Sequence, residues 1–193
     1  MTASRLASSL AMVKRLVGLL DSGQLPLAMA LSLFEVKVEG SLRFGRWLWG
    51  LHAAARDSLD AVYQRLAKMF LGAESWRNGA VACGKFGWLM SGSARCVLDI
   101  ALLRARFWSE VGPGGTLAGV VFLRAHGSAG NTWARLSLAL ISKWNVPDWP
   151  QGVASGPLGQ QVDFKSYSRF CQSLLEDKCL ILWRDQAKRH KLP

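Results

Sequence analysis

The sequence predicts an all-α protein, an irregular bundle of several helices. Three observations support this fold class. Apolar residues recur at helical spacing in several segments, and glycine- or proline-containing stretches separate them. No segment alternates apolar and polar residues as a half-buried strand does, and no strand–helix–strand rhythm is present. Half of the 193 residues are apolar and nine are tryptophan, enough to form the core of one domain.

The first fifty residues predict two helices and an irregular piece. A basic amphipathic segment gives a helix over residues 4–21, ended by Ser22 and Gly23. Pro26 suits the first turn of a second helix, because the N–H that proline lacks would have no partner there. The apolar face of that helix would extend as far as Val38. Residues 40–50, GSLRFGRWLWG, predict a turn followed by a short helical or extended piece.

Residues 58–72 carry the strongest helix signal. Asp57 or Ser58 is the predicted N-cap, Asp60 adds an acid to the first turn, and Gly72 follows the helix end. One face of this helix is a continuous apolar stripe, which predicts that it packs on the core. The stripe comprises Leu59, Val62, Tyr63, Leu66, Met69 and Phe70.

The middle of the chain predicts a short helix near residues 78–84, a turn at residues 86–88, and a long helix over residues 93–110. Ser91 or Ser93 would cap the long helix. Its apolar residues lie on most sides, so we expect it to be central and largely buried. The glycine- and proline-rich residues 112–115 break it.

The C-terminal part predicts two further helices. Residues 116–124 are an apolar run that fits a short helix or a strand, and residues 127–131 form a loop. Thr132 would cap a helix that reaches about Trp144. Three prolines and three glycines make residues 146–159 a predicted linker. Asp163 is the predicted N-cap of a last helix that continues to Lys188.

The charge favours anionic partners. Lysine and arginine number 24 against 13 acids, which gives a formal net charge of +11. Such a balance suits nucleic acid first, and a membrane surface or ribosome second. The alternative is a basic protein that its charge merely keeps soluble.

The four cysteines are predicted to be reduced and mostly buried. Cys83, Cys96, Cys171 and Cys179 form no CxxC pair, and with three scattered histidines they do not predict a zinc site. No apolar run is long enough to span a bilayer. We therefore expect a cytoplasmic or nuclear protein. The Ser-rich, acid-free N-terminus also fits a mitochondrial transit peptide, which is the alternative location.

Catalytic motifs are few. No phosphate-binding glycine loop and no nucleophile elbow is present, and the adjacent acids Glu176 and Asp177 fit a solvated helix surface. Pro147 and Asp148, followed by Asp163 and Lys165, match the spacing of a metal-dependent PD-(D/E)xK nuclease. That chemistry needs these residues on adjoining strands, whereas a linker and a helix cap are predicted here. The nuclease is therefore the lesser alternative, and we predict no enzyme, metal or cofactor.

Bases interleave with aromatic residues in two places. Arg43, Arg46, Trp47 and Trp49 form one group, and Trp76 with Arg77 forms the other. Arginine reaches phosphates while indole rings stack on bases, so the pattern favours nucleic-acid binding. The alternative is that these tryptophans, with Trp88, fill a core between short helices.

Several short motifs follow one another over residues 1–110. They are GQLPL at 23–27, LFE at 33–35, FGRWLW at 44–49, LDAVYQR at 59–65, FLG at 70–72, NGA at 78–80 and FGW at 86–88. Their order resembles that of the region after the catalytic palm in LINE-type (non-LTR) retrotransposon reverse transcriptases. That region has a helix, a Gly-x-Pro-like turn, a second helix ending in an aromatic–acidic pair, and a Tyr-Gly-x-x-x-Trp-like segment. An L-D-x-V-Q-x-R-like helix ending in L-L-G, a stretch with Asn and Ala, and a Leu-Gly-Trp-like turn follow.

The resemblance implies a non-catalytic thumb, an incomplete domain that grips a template–primer duplex. The family's aspartate pair, palm and endonuclease are absent from this sequence. Residues 1–110 would be the thumb-like region, 111–131 a glycine-rich connection, and 132–193 a helical extension. Partners would be RNA, DNA or an RNA–DNA hybrid, without a membrane, and residues of the thumb-like region would contact phosphates. The predicted contacts are Arg43, Arg46, Arg65, Lys68 and Arg77.

A rival function follows from the tryptophans. An isolated thumb would leave its palm-facing apolar surface bare, and a Trp-rich surface of that kind suits a structural or interaction protein. The partner would then be a second copy of the chain, a palm domain or another protein.

Overall fold

The computed structural model describes residues 2–72, 78–85, 88, 90–111, 115–149 and 163–189, and it confirms the all-α prediction. No strand occurs within these ranges. A π-helical segment, Phe34–Glu39, joins α2 to α3. The helices are α1 Thr2–Asp21, α2 Leu27–Leu33, α3 Gly40–Arg43, α4 Arg46–Trp49, α5 Ala53–Phe70, α6 Gly79–Lys85, α7 Gly92–Ser109, α8 Leu117–Gly127, α9 Trp133–Lys143 and α10 Phe164–Arg189.

The predicted turn at residues 40–50 is more helical than expected. Gly40 has helical φ and ψ, so the chain from α2 to α3 is one continuous rod with a π-helical middle. The rod ends at Phe44, and Gly45 follows with φ +69°, a left-handed conformation that favours glycine. This glycine turns the chain into α4. The turn is therefore at Gly45, in the middle of the predicted range, and short helical pieces lie on both sides of it.

Helix α5 confirms the predicted apolar stripe but not the predicted start. It begins at Ala53, with His52 as the N-cap residue, so Asp57 and Ser58 lie inside the helix. The three consecutive alanines at 53–55 extend the helix backwards because alanine has the highest helix propensity. Gly72, one residue beyond the C-cap Leu71, has φ +57°, as predicted for a residue that closes the helix.

Asp60 has a different role from the predicted one. Its carboxylate accepts hydrogen bonds from the Ser93 backbone N–H (2.8 Å) and the Ser93 hydroxyl (2.6 Å) at the start of α7. Gly92 permits this approach, since a Cβ there would lie 2.7 Å from Leu59 Cγ. Asp60 thus joins α5 to the N-terminus of α7, where the helix dipole favours an acid.

A first core lies between α1, the rod from α2 to α3, α5 and α6. Aromatic rings form its centre: Phe34 stacks on Trp88 at 4.9 Å between centroids and meets Phe70 edge-on at 5.8 Å. Tyr63 packs edge-on against both Phe34 and Trp88. Trp88 is therefore a core residue, as the alternative interpretation of the tryptophans predicts.

Helix α7 is central and largely buried, as predicted. Cys96 faces the first core, while Val97, Ile100 and Ala101 belong to a second core shared with α9 and α10. Ser91 caps the helix by accepting a hydrogen bond from the Ala94 N–H. Helix α7, from the predicted thumb-like region, thus shares a core with helices of the predicted C-terminal extension.

The C-terminal elements confirm one cap prediction and correct one segment. The ambiguous run at 116–124 is helical and forms most of α8. Asp163 caps α10 through a 2.8 Å hydrogen bond from the Ser166 N–H. Thr132 stands at the N-cap position of α9, but its side chain makes no capping hydrogen bond, since its hydroxyl donates to the Ala125 carbonyl at 2.7 Å. The predicted linker is wrong for residues 146–149, because Val146 and Asp148 are buried in the fold.

Some predictions fall on residues outside the described ranges. They are Arg77, Trp76, the turn residues Phe86 and Gly87, the break at residues 112–114, and the rest of the linker at residues 150–159.

Candidate binding surfaces

Arg46 is an internal residue, which corrects its prediction as a phosphate contact. It is 3% exposed, at the start of α4. Its Nε donates to Asp99 Oδ2 at 2.6 Å and its Nη1 donates to Glu39 Oε1 at 2.8 Å. Glu39 ends the π-helical segment and Asp99 lies on α7, so Arg46 fastens three elements together. Because the guanidinium is buried and already donates to two carboxylates, Arg46 cannot contact a phosphate on the surface.

Electrostatics keep Arg46 charged in this setting. Burial opposes the charge, but the carboxylates of Asp99 and Glu39 outweigh burial and raise the pKa of Arg46. Arg95 adds a further cation, with its Nη1 3.4 Å from Glu39 Oε1 and its guanidinium carbon 5.0 Å from the centroid of the Tyr63 ring. Glu39 and Asp99 are therefore paired within this cluster, so their negative charges do not offset the positive charge of the exposed surface.

The other predicted contacts divide into two places. The Arg43 side chain is 65% exposed and lies 3.5 Å from Asp99, at the edge of the Arg46 cluster. Arg65 is exposed on α5, and Lys68 is half-buried one turn later. Arg65 and Lys68 therefore share one face of α5, as the helical spacing predicts, and Arg77 lies outside the described residues.

The exposed surface is strongly basic. Where burial is described, thirteen lysine and arginine residues are exposed against six acids. These bases are Lys14, Arg15, Lys37, Arg43, Arg65, Arg106, Arg124, Arg135, Lys143, Lys165, Arg169, Arg184 and Lys188. The acids are Asp21, Glu35, Asp57, Asp163, Asp177 and Asp185. Residues 111–147, which contain α8 and α9, include no acid at all.

An open apolar groove lies between α8 and the residues that face it from α4, α7 and α9. Its volume is about 500 Å³. Trp47 meets Trp133 edge-on at 6.2 Å between centroids, and Phe107 stacks on Phe122 at 5.3 Å. We call this feature the aromatic groove; its lining is Trp47, Phe107, Leu117, Ala118, Val121, Phe122, Ala125, Trp133 and Ala134.

Helix α8 leaves apolar side chains in water along this groove. Leu117 is 79% exposed and Val121 is 57% exposed, while only Gly119 and Phe122 of α8 are buried. Sequence reasoning missed the aromatic groove because a run such as TLAGVVFLR indicates burial.

The tryptophans split between the two predicted roles. Trp88 is buried and Trp49 packs against the first core, with its indole N–H donating to the Phe44 carbonyl at 3.2 Å. Trp47 is 41% exposed and supports the aromatic groove, and the Trp133 indole N–H donates to the Trp47 carbonyl at 3.1 Å. Core filling therefore accounts for Trp49 and Trp88, and surface exposure for Trp47.

The acids of the nuclease alternative have structural partners. Asp148 is buried and forms a two-pronged ion pair with Arg104 of α7, while Asp163 is an exposed cap on α10. Hydrogen bonds from Ser166 lower the pKa of Asp163, as expected for a helix-capping carboxylate. Neither acid lies on a strand. Within the described residues no cluster of three or more histidine, cysteine or acidic side chains is arranged to hold a metal ion.

The four cysteines are free and buried, as predicted. Burial raises the pKa of Cys83 and of Cys96 to about 12 and that of Cys171 to about 11. Burial raises the pKa of Cys179 as well. These thiols are protonated at neutral pH, so they behave as small apolar core residues.

None of the helices in the described part of the chain is long and apolar enough to cross a bilayer. Comparison with protein-family models, curated protein sequences and solved structures finds no match to this chain.

Proposed function

We propose that this protein is a non-catalytic nucleic-acid-binding module that contacts the phosphates of RNA, DNA or an RNA–DNA hybrid. The role is the one that the resemblance to a reverse transcriptase thumb implies. The observation that carries it is the excess of exposed bases, thirteen against six exposed acids in the described residues. Phosphate contacts supply most of the affinity of sequence-independent binding.

The internal ion pairs contribute slightly to this excess. Three acids, Glu39, Asp99 and Asp148, pair with only two buried arginines, Arg46 and Arg104, so one more acid than base is withdrawn from the surface. The remaining exposed bases lie on α1, the π-helical segment, α3, α5, α7, α8, α9 and α10. Because they are spread over many elements, we expect binding through the nucleic-acid backbone without sequence preference.

The test measures the affinity of the full chain for a short duplex, a hybrid and a single strand over a range of salt concentrations. We expect the logarithm of the binding constant to fall linearly with the logarithm of the salt concentration, with a slope of about −0.9 per phosphate contacted on B-form DNA. Absence of hybrid binding at low salt would contradict the proposal.

A pair of double variants tests the location. Arg43→Gln with Arg65→Gln removes the two exposed bases among the described predicted phosphate contacts, whereas Arg169→Gln with Arg184→Gln removes two exposed bases from α10. We expect the Arg43–Arg65 double variant to weaken binding more than the Arg169–Arg184 double variant. It should also reduce by about 2 the slope of the logarithm of the binding constant against the logarithm of the salt concentration. Equal effects of the two double variants would count against Arg43 and Arg65 as preferred contacts.

A further inference from the structure

A second pocket lies between the end of α8 and one face of α9. Its volume is about 670 Å³, within the range of roughly 300–1,000 Å³ that ligand-binding pockets occupy. Polar side chains line much of it, whereas the aromatic groove is lined by apolar ones. We call this feature the α8–α9 pocket; its polar lining is His126, Ser128, Arg135 and Ser142.

One face of α9 forms a wall of the α8–α9 pocket. Arg135, Leu138, Ala139 and Ser142 recur at i, i+3, i+4 and i+7, so they share one face over about 10 Å of the helix. Leu138 packs against the second core, while the other three are exposed. A ligand in the pocket would therefore meet the Arg135 guanidinium towards one end of this wall and the Ser142 hydroxyl towards the other.

The Arg135 side chain is positioned without losing its charge to an acid. Its Nη1 donates to the Ser128 carbonyl at 2.9 Å, which ties the side chain to the loop after α8. None of the ion pairs among the described residues includes Arg135. A guanidinium carries five N–H donors, so one hydrogen bond to a neutral carbonyl leaves most of them for a ligand. Arg135 is thus held in place and still able to bind an anion.

The other side of the α8–α9 pocket is fixed by contacts of its own. The ring of His126 packs against Trp108, with 5.2 Å between the ring centroids. Carbonyls at the C-terminus of a helix repel anions, and α8 ends here. The Ala125 carbonyl, however, already accepts from the Ser128 hydroxyl at 3.0 Å and the Thr132 hydroxyl at 2.7 Å. These two hydrogen bonds reduce the repulsion that an anion would meet.

Acids do not offset the charge of Arg135. Residues 111–147, which include every residue that lines the α8–α9 pocket, contain no acid. Helix α7 packs on both α8 and α9, and the acids on it and next to these helices are Asp99, Glu110 and Asp148. Each of these three lies within 3.5 Å of an arginine nitrogen and is therefore paired. The pocket accordingly has a positive lining within an acid-free part of the chain.

We propose that the α8–α9 pocket binds a phosphate group. A guanidinium donates two parallel hydrogen bonds to one phosphate, and imidazole N–H and hydroxyl groups are further donors that such a ligand needs. Because the pocket is open to solvent, the phosphate can belong to a larger molecule. A nucleic-acid backbone as its source rests on the proposed function. The pocket adds Arg135 and His126 to that function, two residues outside the predicted thumb-like region.

The first experiment titrates the full chain with inorganic pyrophosphate and follows the ring protons of the histidines by NMR. We expect the resonances of His126, identified by their loss in His126→Gln, to shift saturably, whereas those of His52, which is outside the pocket, stay in place. Arg135→Gln should weaken the binding at least about tenfold, because it removes charge-assisted hydrogen bonds to the ligand. Arg124→Gln removes an exposed arginine of α8 that does not line the pocket, and it should change the affinity less than about twofold.

The second experiment measures the affinity for a labelled duplex in two matched variants of α9. Ala139→Glu places a negative charge in the α8–α9 pocket, whereas Leu136→Glu places the same charge on the same helix outside the lining, at a position that is 43% exposed. We expect about tenfold weaker binding for Ala139→Glu and less than about threefold for Leu136→Glu, with unchanged circular dichroism for both. Arg135→Gln should also reduce by about 1 the slope of the logarithm of the binding constant against the logarithm of the salt concentration.

The outcomes separate this inference from the proposed function. If His126 does not respond to pyrophosphate, or if Arg135→Gln and Arg124→Gln weaken the binding equally, the phosphate site is overturned. If the duplex binds but Ala139→Glu and Leu136→Glu weaken it equally, the backbone is overturned as the source, and the proposed function stands. If pyrophosphate binds at His126 while no nucleic acid binds at low salt, the proposed function fails. The pocket is then supported as a site for a free phosphate compound.

Discussion

Arg104 and Asp148 form a buried ion pair that holds the segment after α9 against α7, with Arg104 Nε donating to Asp148 Oδ1 at 2.9 Å. Arg104 also donates to the Ser137 hydroxyl at 2.8 Å and to the Ala134 carbonyl, and Trp108 Nε1 donates to Asp148 Oδ2 at 3.2 Å. A buried charge without such partners would be strongly destabilising. The pair therefore explains why an arginine is tolerated inside the second core.

Removing one member of this pair is expected to destabilise the fold. Asp148→Asn keeps the size of the side chain but leaves the Arg104 charge unpaired, which costs about 3–5 kcal/mol of the free energy of unfolding. Denaturant titration followed by circular dichroism measures it, and Asp177→Asn on the surface of α10 is the control. The double variant Arg104→Met with Asp148→Leu should lose less than Asp148→Asn. A larger loss in the double variant would contradict this account.

Arg46 and Arg43 both approach Asp99 but should respond differently to substitution. Arg46→Ala removes a buried guanidinium and leaves two carboxylates short of a partner, so we expect a loss of about 3 kcal/mol in the free energy of unfolding. Arg43→Ala removes an exposed partner and should cost less than about 1 kcal/mol while weakening nucleic-acid binding. The free energy of unfolding and the affinity for nucleic acid are measured for both variants. Similar free energies of unfolding for Arg46→Ala and Arg43→Ala would disprove the internal role of Arg46.

The aromatic centre of the first core predicts a large effect at one position. Phe34 contacts Tyr63, Phe70 and Trp88 through its ring. Phe34→Ala should lower the free energy of unfolding by about 3–5 kcal/mol, because the ring is lost and the rigid neighbours leave a cavity. Phe170→Ala on the exposed side of α10 is the control and should have little effect. Thermal unfolding compares the two variants.

The buried thiols predict a pH dependence. The pKa of Cys83 and of Cys96 rises from an ordinary value of 9.0 to about 12 in the folded state. Stability from these groups is thus fully present below about pH 9, and it is lost as the pH rises towards the folded pKa, since the unfolded chain releases its thiol protons first. Denaturant titrations at several pH values above neutrality measure this decline.

Thiol labelling provides an independent check. An aromatic disulfide reagent at about pH 8 should leave the native chain almost unlabelled, and denaturant should expose all four thiols. Ser173→Cys, at an exposed position of α10, is the control that should react at once. Rapid labelling of the unmodified native chain would contradict the burial of its cysteines.

Local signals were sufficient for most of the helices. Periodicity locates the stripe of α5. Of the two caps predicted for α7, Ser91 and Ser93, Ser91 accepts a hydrogen bond from the first turn, and Asp163 does so for α10, as predicted. Both kinds of signal act within a few residues of the chain. The positions of the helices in residues 2–72 and 90–111 consequently required few corrections beyond the start of α5.

Long-range contacts account for what the sequence did not predict. Arg46 lies beside an aromatic run that indicates a surface, but Asp99, 53 residues away, draws it inside. Asp148 sits among prolines and glycines that indicate a linker, but Arg104, 44 residues away, holds it in the core. The aromatic groove similarly depends on which residues α8 meets in space. Such contacts join residues far apart in the chain, and local sequence patterns do not indicate them.

The position of α7 between the two cores has a consequence for synthesis. Tyr167, Cys171, Leu175 and Cys179 of α10 complete the second core, and Cys179 lies 3.5 Å from the Ser91 N–H although 88 residues separate them. Helix α10 leaves the ribosome after the other helices that form this core. Until it emerges, the apolar residues of α7 that pack on α10 lack that cover, so we expect the nascent chain to be prone to aggregation at this stage.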